Sequence, residues 1–399
     1  MAKNILLFAD GTGNEGGLLP DESRTNVYKL YRATRNGPDT GIDPRAQIAF
    51  YLHGIGTPAP GRKSHALRQA WEQMFGGGLA SRITDGYAAI ISAWQPGDRI
   101  YLFGFSRGAY TARCIAHVLE LFGIPAKEPG ADTLSLEPTR LRKVCRQAVR
   151  ILYRFGLTVP DSPARQKAVD AFCAAHGSRL GGAIGAVPYV VGVWDTVAAI
   201  GWGRFFRNRY DLHFPREIRF ARHAMAIDEY RKDFARVKWG GSSLPPNRPG
   251  EPDVFEQIWF AGNHADIGGS YPETESRLSD ISLQWMVDFI TMTLPHEGRV
   301  QLDARYMTLY PGADGMMHDE CMVGIGGTPA RWYPADRDVP AGAVLHPTVY
   351  ERLALPSVRN YTSYAKYRPA PLRNHDKAKA YFEDELKAAP AATGKAGGA

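Results

Sequence analysis

An α/β architecture, with a mostly parallel central sheet flanked by helices and carrying a helical insert, is what this 399-residue sequence predicts. Three observations carry that prediction. Short apolar runs recur at residues 4–9, 100–103, 188–194 and 256–262, and each leads into a loop rich in glycine or acidic residues. Continuous apolar runs of this length suit strands covered on both faces, as parallel strands are. Segments of helical periodicity lie between them, and a 44% hydrophobic content is enough for one large core in a chain of this size.

The first run ends in Asp10-Gly11-Thr12-Gly13-Asn14. Residues 11–16 fit a Gly-x-Gly-x-x-Gly pattern, but dinucleotide binding needs a helix N-terminus opening inside that loop. Gly17 and Pro20 follow instead, helical periodicity begins only near Asn26, and Asp10 and Glu15 would repel phosphate. An aspartyl-phosphatase reading of residues 8–12 fails as well, because Phe8 stands where the nucleophilic carboxylate would be. Asp10 is left to hold a cation or to orient Arg107 or Arg113.

The run at residues 99–103 leads into Gly104-Phe105-Ser106-Arg107-Gly108, a Gly-x-Ser-x-Gly turn. Ala109, Ala112, Ile115, Ala116, Leu119 and Leu121 then recur at roughly helical spacing, with Gly123 and Pro125 as stop signals. Two residues without a Cβ permit a sharp strand-to-helix turn that leaves Ser106 at the sheet's carboxyl edge.

A serine hydroxyl is a weak nucleophile near neutral pH and needs a base, itself oriented by an acid. In α/β-hydrolases the acid and then the histidine follow the nucleophile, each at the end of a later strand. The run at 188–194 ends in Asp195-Thr196, and the run at 256–262 enters Asn263-His264-Ala265-Asp266-Ile267-Gly268-Gly269. Ser106, Asp195 and His264 thus stand in the expected order. Asp195 has a simpler use as a helix cap. Asp266 is the alternative acid, and two residues from His264 it is better placed to brace the loop. The oxyanion needs two amides: Arg107 after the nucleophile, and Gly11 or Thr12 from the earlier loop.

Between the nucleophile and the acid lies a helical insert, at about residues 126–186. Residues 140–155 carry the apolar set Leu141, Val144, Cys145, Ile151 and Leu152, and residues 168–175 read as a second helix. Such an insert serves either as a lid over the site or as peripheral packing. The chain has 48 Lys and Arg against 41 Asp and Glu, a net charge of +7. Basic residues thicken between Arg204 and Lys238 among aromatic ones, which reads either as a surface for anionic lipid headgroups or as a solvated helix face backed by Ile218, Met225 and Ile227. No nucleic-acid motif accompanies the charge. Four cysteines without close pairing point to a reduced, cytosolic chain, and residues 5–9 are too short for a signal-peptide core. Residues 1–387 are expected to form one domain, followed by a disordered tail at 388–399.

The blocks FADGTGN, YLHGIGT, GFSRGAYTAR, GVWDTV, RHAMAIDE and FAGNHADIGG occur in that order. Together with residues 278–286, 345–350 and 367–369, they resemble a bacterial and fungal α/β-hydrolase family that includes the catalytic domain of type VI secretion phospholipase effectors. The resemblance spans about residues 4–373. It implies Ser106 as nucleophile, Asp195 as acid and His264 as base, in a family whose characterised members hydrolyse phospholipid acyl esters. The secreted effectors carry a further membrane-associating module for which a chain of this length leaves no room. The resemblance therefore implies ester chemistry more firmly than a phospholipid substrate.

The expectation is a serine hydrolase of carboxylic esters, of lipids above all, working through an acyl-enzyme without a metal or organic cofactor. A non-lipid esterase, thioesterase or amidase would use the same triad, and a non-catalytic binding protein could keep the fold. The expected partners are an ester or lipid substrate and an anionic membrane surface touched peripherally, with no nucleic acid. Synthesis in the cytoplasm leaves signal-independent export open, and oligomeric state is not legible.

Overall fold

The computed structural model describes residues 2–11, 23–54, 78–155, 162–197, 217–234, 236–239, 244–325, 328–331 and 334–383. Thr12, residues 204–216 of the basic and aromatic stretch, and the tail at 388–399 lie outside them.

The four apolar runs become β1 (Asn4–Ala9), β3 (Arg99–Phe105), β4 (Pro188–Trp194) and β6 (Phe255–Phe260); β2 (Gln47–Leu52) and β5 (Phe220–Ala226), outside those runs, complete a six-stranded parallel sheet. Their order is β2-β1-β3-β4-β5-β6, and every neighbouring pair is parallel. All six carboxyl ends therefore open on one rim, where α/β proteins place their sites.

Side-chain alternation divides the core in two. Leu6, Phe8, Tyr101 and Phe103 face one side, against Val27 and Leu30 of α1 (Asn26–Thr34) and Leu278, Leu283 and Met286 of α7 (Arg277–Asp288). Ile5, Leu7, Ile100 and Leu102 face the other, against Ile83, Tyr87 and Ile90 of α2 (Leu79–Ala93) and Ile115 and Leu119 of α3 (Arg107–Phe122). α1 begins at Asn26 because the Thr25 side chain accepts the Tyr28 amide, capping the helix.

The insert forms α4 (Pro138–Phe155) and α5 (Pro163–His176). The second helix starts five residues before the periodic segment, since Pro163 at its first turn loses no intrahelical bond there. Leu141, Val144, Cys145, Val149 and Leu152 of α4 and Val169 and Phe172 of α5 join the core on the α2–α3 side. Arg142 bonds Ser81 and Asp85 of α2. These helices form a second layer outside α2 and α3, the packing use of the insert.

The basic stretch corrects the helix expectation. Its described part contains strand β5, with all seven residues buried. Met225 and Ile227 are core residues of an inner strand and its exit, not the stripe of a surface helix. The buried Arg222 and His223 interrupt the apolar run, so spacing alone misassigned it.

Candidate active site

The turn after β3 is as tight as its glycines allow. A Cβ on Gly104 would run into the Gly108 carbonyl, and one on Gly108 into the Ala9 carbonyl at the end of β1. Between them Ser106 takes φ 58° and ψ −122°, a strained backbone for a residue with a side chain, and serves as the N-cap position of α3. The Ser106 N–H donates to the Trp194 carbonyl at 3.1 Å, tying the turn to the end of β4. Arg107 then opens α3, placing its amide at the positive end of the helix dipole.

One residue beyond Trp194, Asp195 also has a positive φ, 35°, and is fully buried. Its Oδ1 accepts the Ala226 amide at 3.1 Å, and its Oδ2 lies 2.6 Å from His264 Nδ1. Arg337 grips the same carboxylate with both terminal nitrogens, Nη2 to Oδ2 at 2.8 Å and Nη1 to Oδ1 at 3.3 Å. Burial alone would push the Asp195 carboxyl up, but the Arg337 charge and the bond from His264 hold it well below the usual carboxylate range.

His264 is the first residue of a short helix, α6 (His264–Gly268), where a loop was expected. A capping box forms that helix: the Asn263 side chain accepts the Asp266 amide, and the Asp266 carboxylate accepts the Asn263 amide. The His264 N–H donates to Glu229 Oε2 at 3.2 Å, and its ring lies against Phe105 (4.5 Å between centroids) and Phe234 (5.3 Å). Nε2, the atom a general base presents to a nucleophile, is buried and has no hydrogen-bond partner among the described residues. No bond to the Ser106 hydroxyl forms here. Resting sites of this kind often tighten only with substrate bound.

The remaining expected residues divide. Asp266 braces the loop: besides Asn263 it accepts the His318 amide at 3.0 Å and His318 Nδ1 at 2.7 Å, with no bond to His264. Asp10 is buried and bonds Thr25 Oγ1 (2.7 Å) and Tyr51 OH (2.5 Å), so it does not orient Arg113, which donates to the Val237 and Lys238 carbonyls. Burial raises the Asp10 carboxyl to about 6 against the opposing pull of Tyr51, Thr25 and the Gly11 amide. The Gly11 N–H is directed at Asp10 Oδ1 at 2.7 Å, not outward. A buried carboxylate takes the nearest backbone donor, and that use corrects the expectation for the Gly11 amide.

Sequence reasoning missed Arg337, Glu229 and His318. Glu229 ends the RHAMAIDE block, so a signal for it was present. Arg337 stands in Asp336-Arg337-Asp338, outside any regular element, where nothing local marks it. A larger cavity, of about 660 Å³, lies elsewhere, between Arg222, Glu256, Trp285, Phe289 and His346, and no triad residue lines it. Among the described residues no helix is long and apolar enough to cross a membrane.

Residues 3–289 match the model of the family described as "T6SS, Phospholipase effector Tle1-like, catalytic domain". A curated relative, "Uncharacterized protein YEL023C" of Saccharomyces cerevisiae (strain ATCC 204508 / S288c), is 38% identical over 134 residues, covering 31% of this chain and 18% of that protein. An uncharacterized protein from Pseudomonas aeruginosa of known structure is 17% identical with a TM-score of 0.41, over 77% of this chain and 48% of the other. The Tle1 effector, solved bound to the VgrG spike of the type 6 secretion system, is 20% identical with a TM-score of 0.34, over 69% and 52%. This chain thus spans under a fifth of the yeast protein and about half of each solved chain. With the family pattern covering residues 3–289 and a six-stranded parallel sheet flanked by helices, the chain belongs to the Tle1-like phospholipase effector catalytic domain family and has its α/β-hydrolase fold.

Proposed function

We propose that this protein is a serine hydrolase that cleaves carboxylic esters of lipids through an acyl-enzyme. The observation that carries the reading is the buried Asp195–His264 pair at 2.6 Å, with Nε2 unpartnered among the described residues, on the same sheet rim as the strained Ser106 elbow. Membership of a phospholipase effector family favours lipid acyl esters as the substrate class.

In this mechanism Ser106 Oγ attacks the acyl carbonyl as His264 Nε2 takes its proton. Asp195 holds the ring in the tautomer with the proton on Nδ1 and stabilises the imidazolium that forms. The Arg107 amide meets the oxyanion at the N-terminus of α3. Thr12, in the loop that Gly11 opens, is the candidate for the second donor, because Asp10 holds the Gly11 amide. His264 returns the proton to the leaving alcohol, then activates water to release the fatty acid and free Ser106.

The test is incubation of the protein with a total lipid extract, followed by mass spectrometry against Ser106→Ala. Loss of intact lipid with release of fatty acid should vanish in the variant, with kcat/KM falling by roughly 10³-fold or more. Labelling by a fluorophosphonate should vanish with it. Cleavage of soluble esters with every lipid untouched would discard the lipid substrate, and equal turnover by Ser106→Ala would discard the nucleophile.

A further inference from the structure

The Asp195 carboxylate does more than bind His264, and its second partner is a full cation. Arg337 is 6% exposed and presents its planar fork to both carboxylate oxygens. Oδ2 is shared, 2.8 Å from Arg337 Nη2 and 2.6 Å from His264 Nδ1. Through the shared Oδ2 the two bonds bring the guanidinium beside the imidazole, in a buried site where Asp195 itself has no exposed surface.

We propose that Arg337 is a positioning residue of this site: its fork aligns the Asp195 carboxylate on His264 Nδ1. The inference rests on the triad reading above.

Two consequences follow from the geometry. A carboxylate held by a bidentate guanidinium has one orientation, so Oδ2 stays aimed at Nδ1 without help from solvent. The guanidinium charge also helps the Asp195 carboxylate stay ionised although it has no exposed surface.

The other charged groups around the ring do not undo this pairing. Glu229, after β5, accepts the His264 amide but is itself paired with Arg231 Nη2 at 2.8 Å. His223, on β5, is held neutral by burial, which pushes it down to about 3. Asp266, on α6 itself, is bound by His318. Asp228 accepts the Gly262 amide and the Tyr367 hydroxyl, each at 2.7 Å. From β3 and α3 come the Phe105 ring, Ser106 and the Arg107 cation, and from the segment after β5 comes the Phe234 ring.

The test combines steady-state kinetics with the downfield proton NMR signal of the His264 Nδ1–H bonded to Asp195, assigned by its loss in His264→Gln. In Arg337→Gln, checked for its native fold by near-UV circular dichroism, that signal should be lost or move upfield, because the carboxylate is no longer held in one orientation. In Arg337→Lys, which keeps the charge and loses the fork, kcat should fall about tenfold at little cost in KM. A folded Arg337→Gln with the wild-type signal would overturn the proposal, as would Arg337→Lys with wild-type kcat. Should Arg337→Gln not fold, Arg337→Lys decides.

The NMR arm needs no turnover, so the two readings fail separately. If no ester is cleaved and Ser106→Ala changes nothing, the hydrolase reading falls, while the His264 Nδ1–H signal still reports the Arg337 fork.

Discussion

At the scale of single residues, the site is a set of buried charges, each settled by a particular neighbour. Asp195 keeps its charge at no exposure because Arg337 and His264 share it. Asp10 has only neutral donors in Thr25, Tyr51 and Gly11, so burial wins and its carboxyl rises from 3.8 to about 6. The sign for stability follows from that. Between about pH 4 and 6 the folded protein holds the Asp10 proton more tightly than the unfolded chain, so this group's contribution declines as pH rises through the window and is flat above it. Asp10→Asn keeps an acceptor without a charge. Relative to wild type it should gain about 1–3 kcal/mol between pH 4 and pH 7.5. Urea unfolding of both proteins at the two pH values checks this, and equal pH slopes would refute it.

At the scale of elements, two short structures aim the proposed catalytic groups. The β3–α3 turn places Ser106 through two glycines that tolerate no side chain. α6 places His264 through Asn263, whose amide nitrogen also donates to the Tyr271 hydroxyl (3.0 Å) and the His318 carbonyl (3.1 Å). Asn263→Ala removes the cap and those bonds together. It should cost about 1–2 kcal/mol of stability and lower kcat more than it raises KM, since the histidine and not the substrate loses its support. Thermal unfolding with steady-state kinetics measures both, and an unchanged kcat would show that the His264 ring is held by Asp195 alone. His318 completes the brace. Burial disfavours its charged form, but Asp266 and Glu275 on either side raise it above the usual imidazole range.

At the scale of the molecule, the insert belongs to the core. α4 turns a continuous apolar stripe onto α2 and α3, and Leu152 is 1% exposed within it. A lid over the site would instead leave such a stripe facing substrate or solvent when open. Leu152→Ala should therefore lower the stability of the whole domain by about 2–4 kcal/mol in a single unfolding transition, leaving KM for a lipid ester unchanged. Denaturant unfolding followed by two probes, together with KM, decides it: full stability with an altered KM would return the insert to the role of a lid.

What the sequence determined by itself is whatever depends on neighbours in the chain. The Gly-x-Ser-x-Gly turn, its strand and its helix are local, because each glycine is required by atoms a few residues away or by the end of the adjacent strand. Asp195 and His264 were legible for a related reason, since a parallel sheet brings every strand's carboxyl end to one rim, and both residues stand just past such ends. Only the tertiary structure decided the partners. Arg337 lies 142 residues beyond Asp195 in an irregular segment, and its fork has meaning only once the chain has returned to the sheet. The Gly11 amide was assigned outward from its loop, but the desolvation of Asp10, which turns it inward, depends on Tyr51 and Thr25 arriving from other elements. Strand β5 was hidden because the buried Arg222 and His223 interrupt its apolar run. Patterning records which face of an element meets water, and a charge is recorded only by the partner that lets it stay buried.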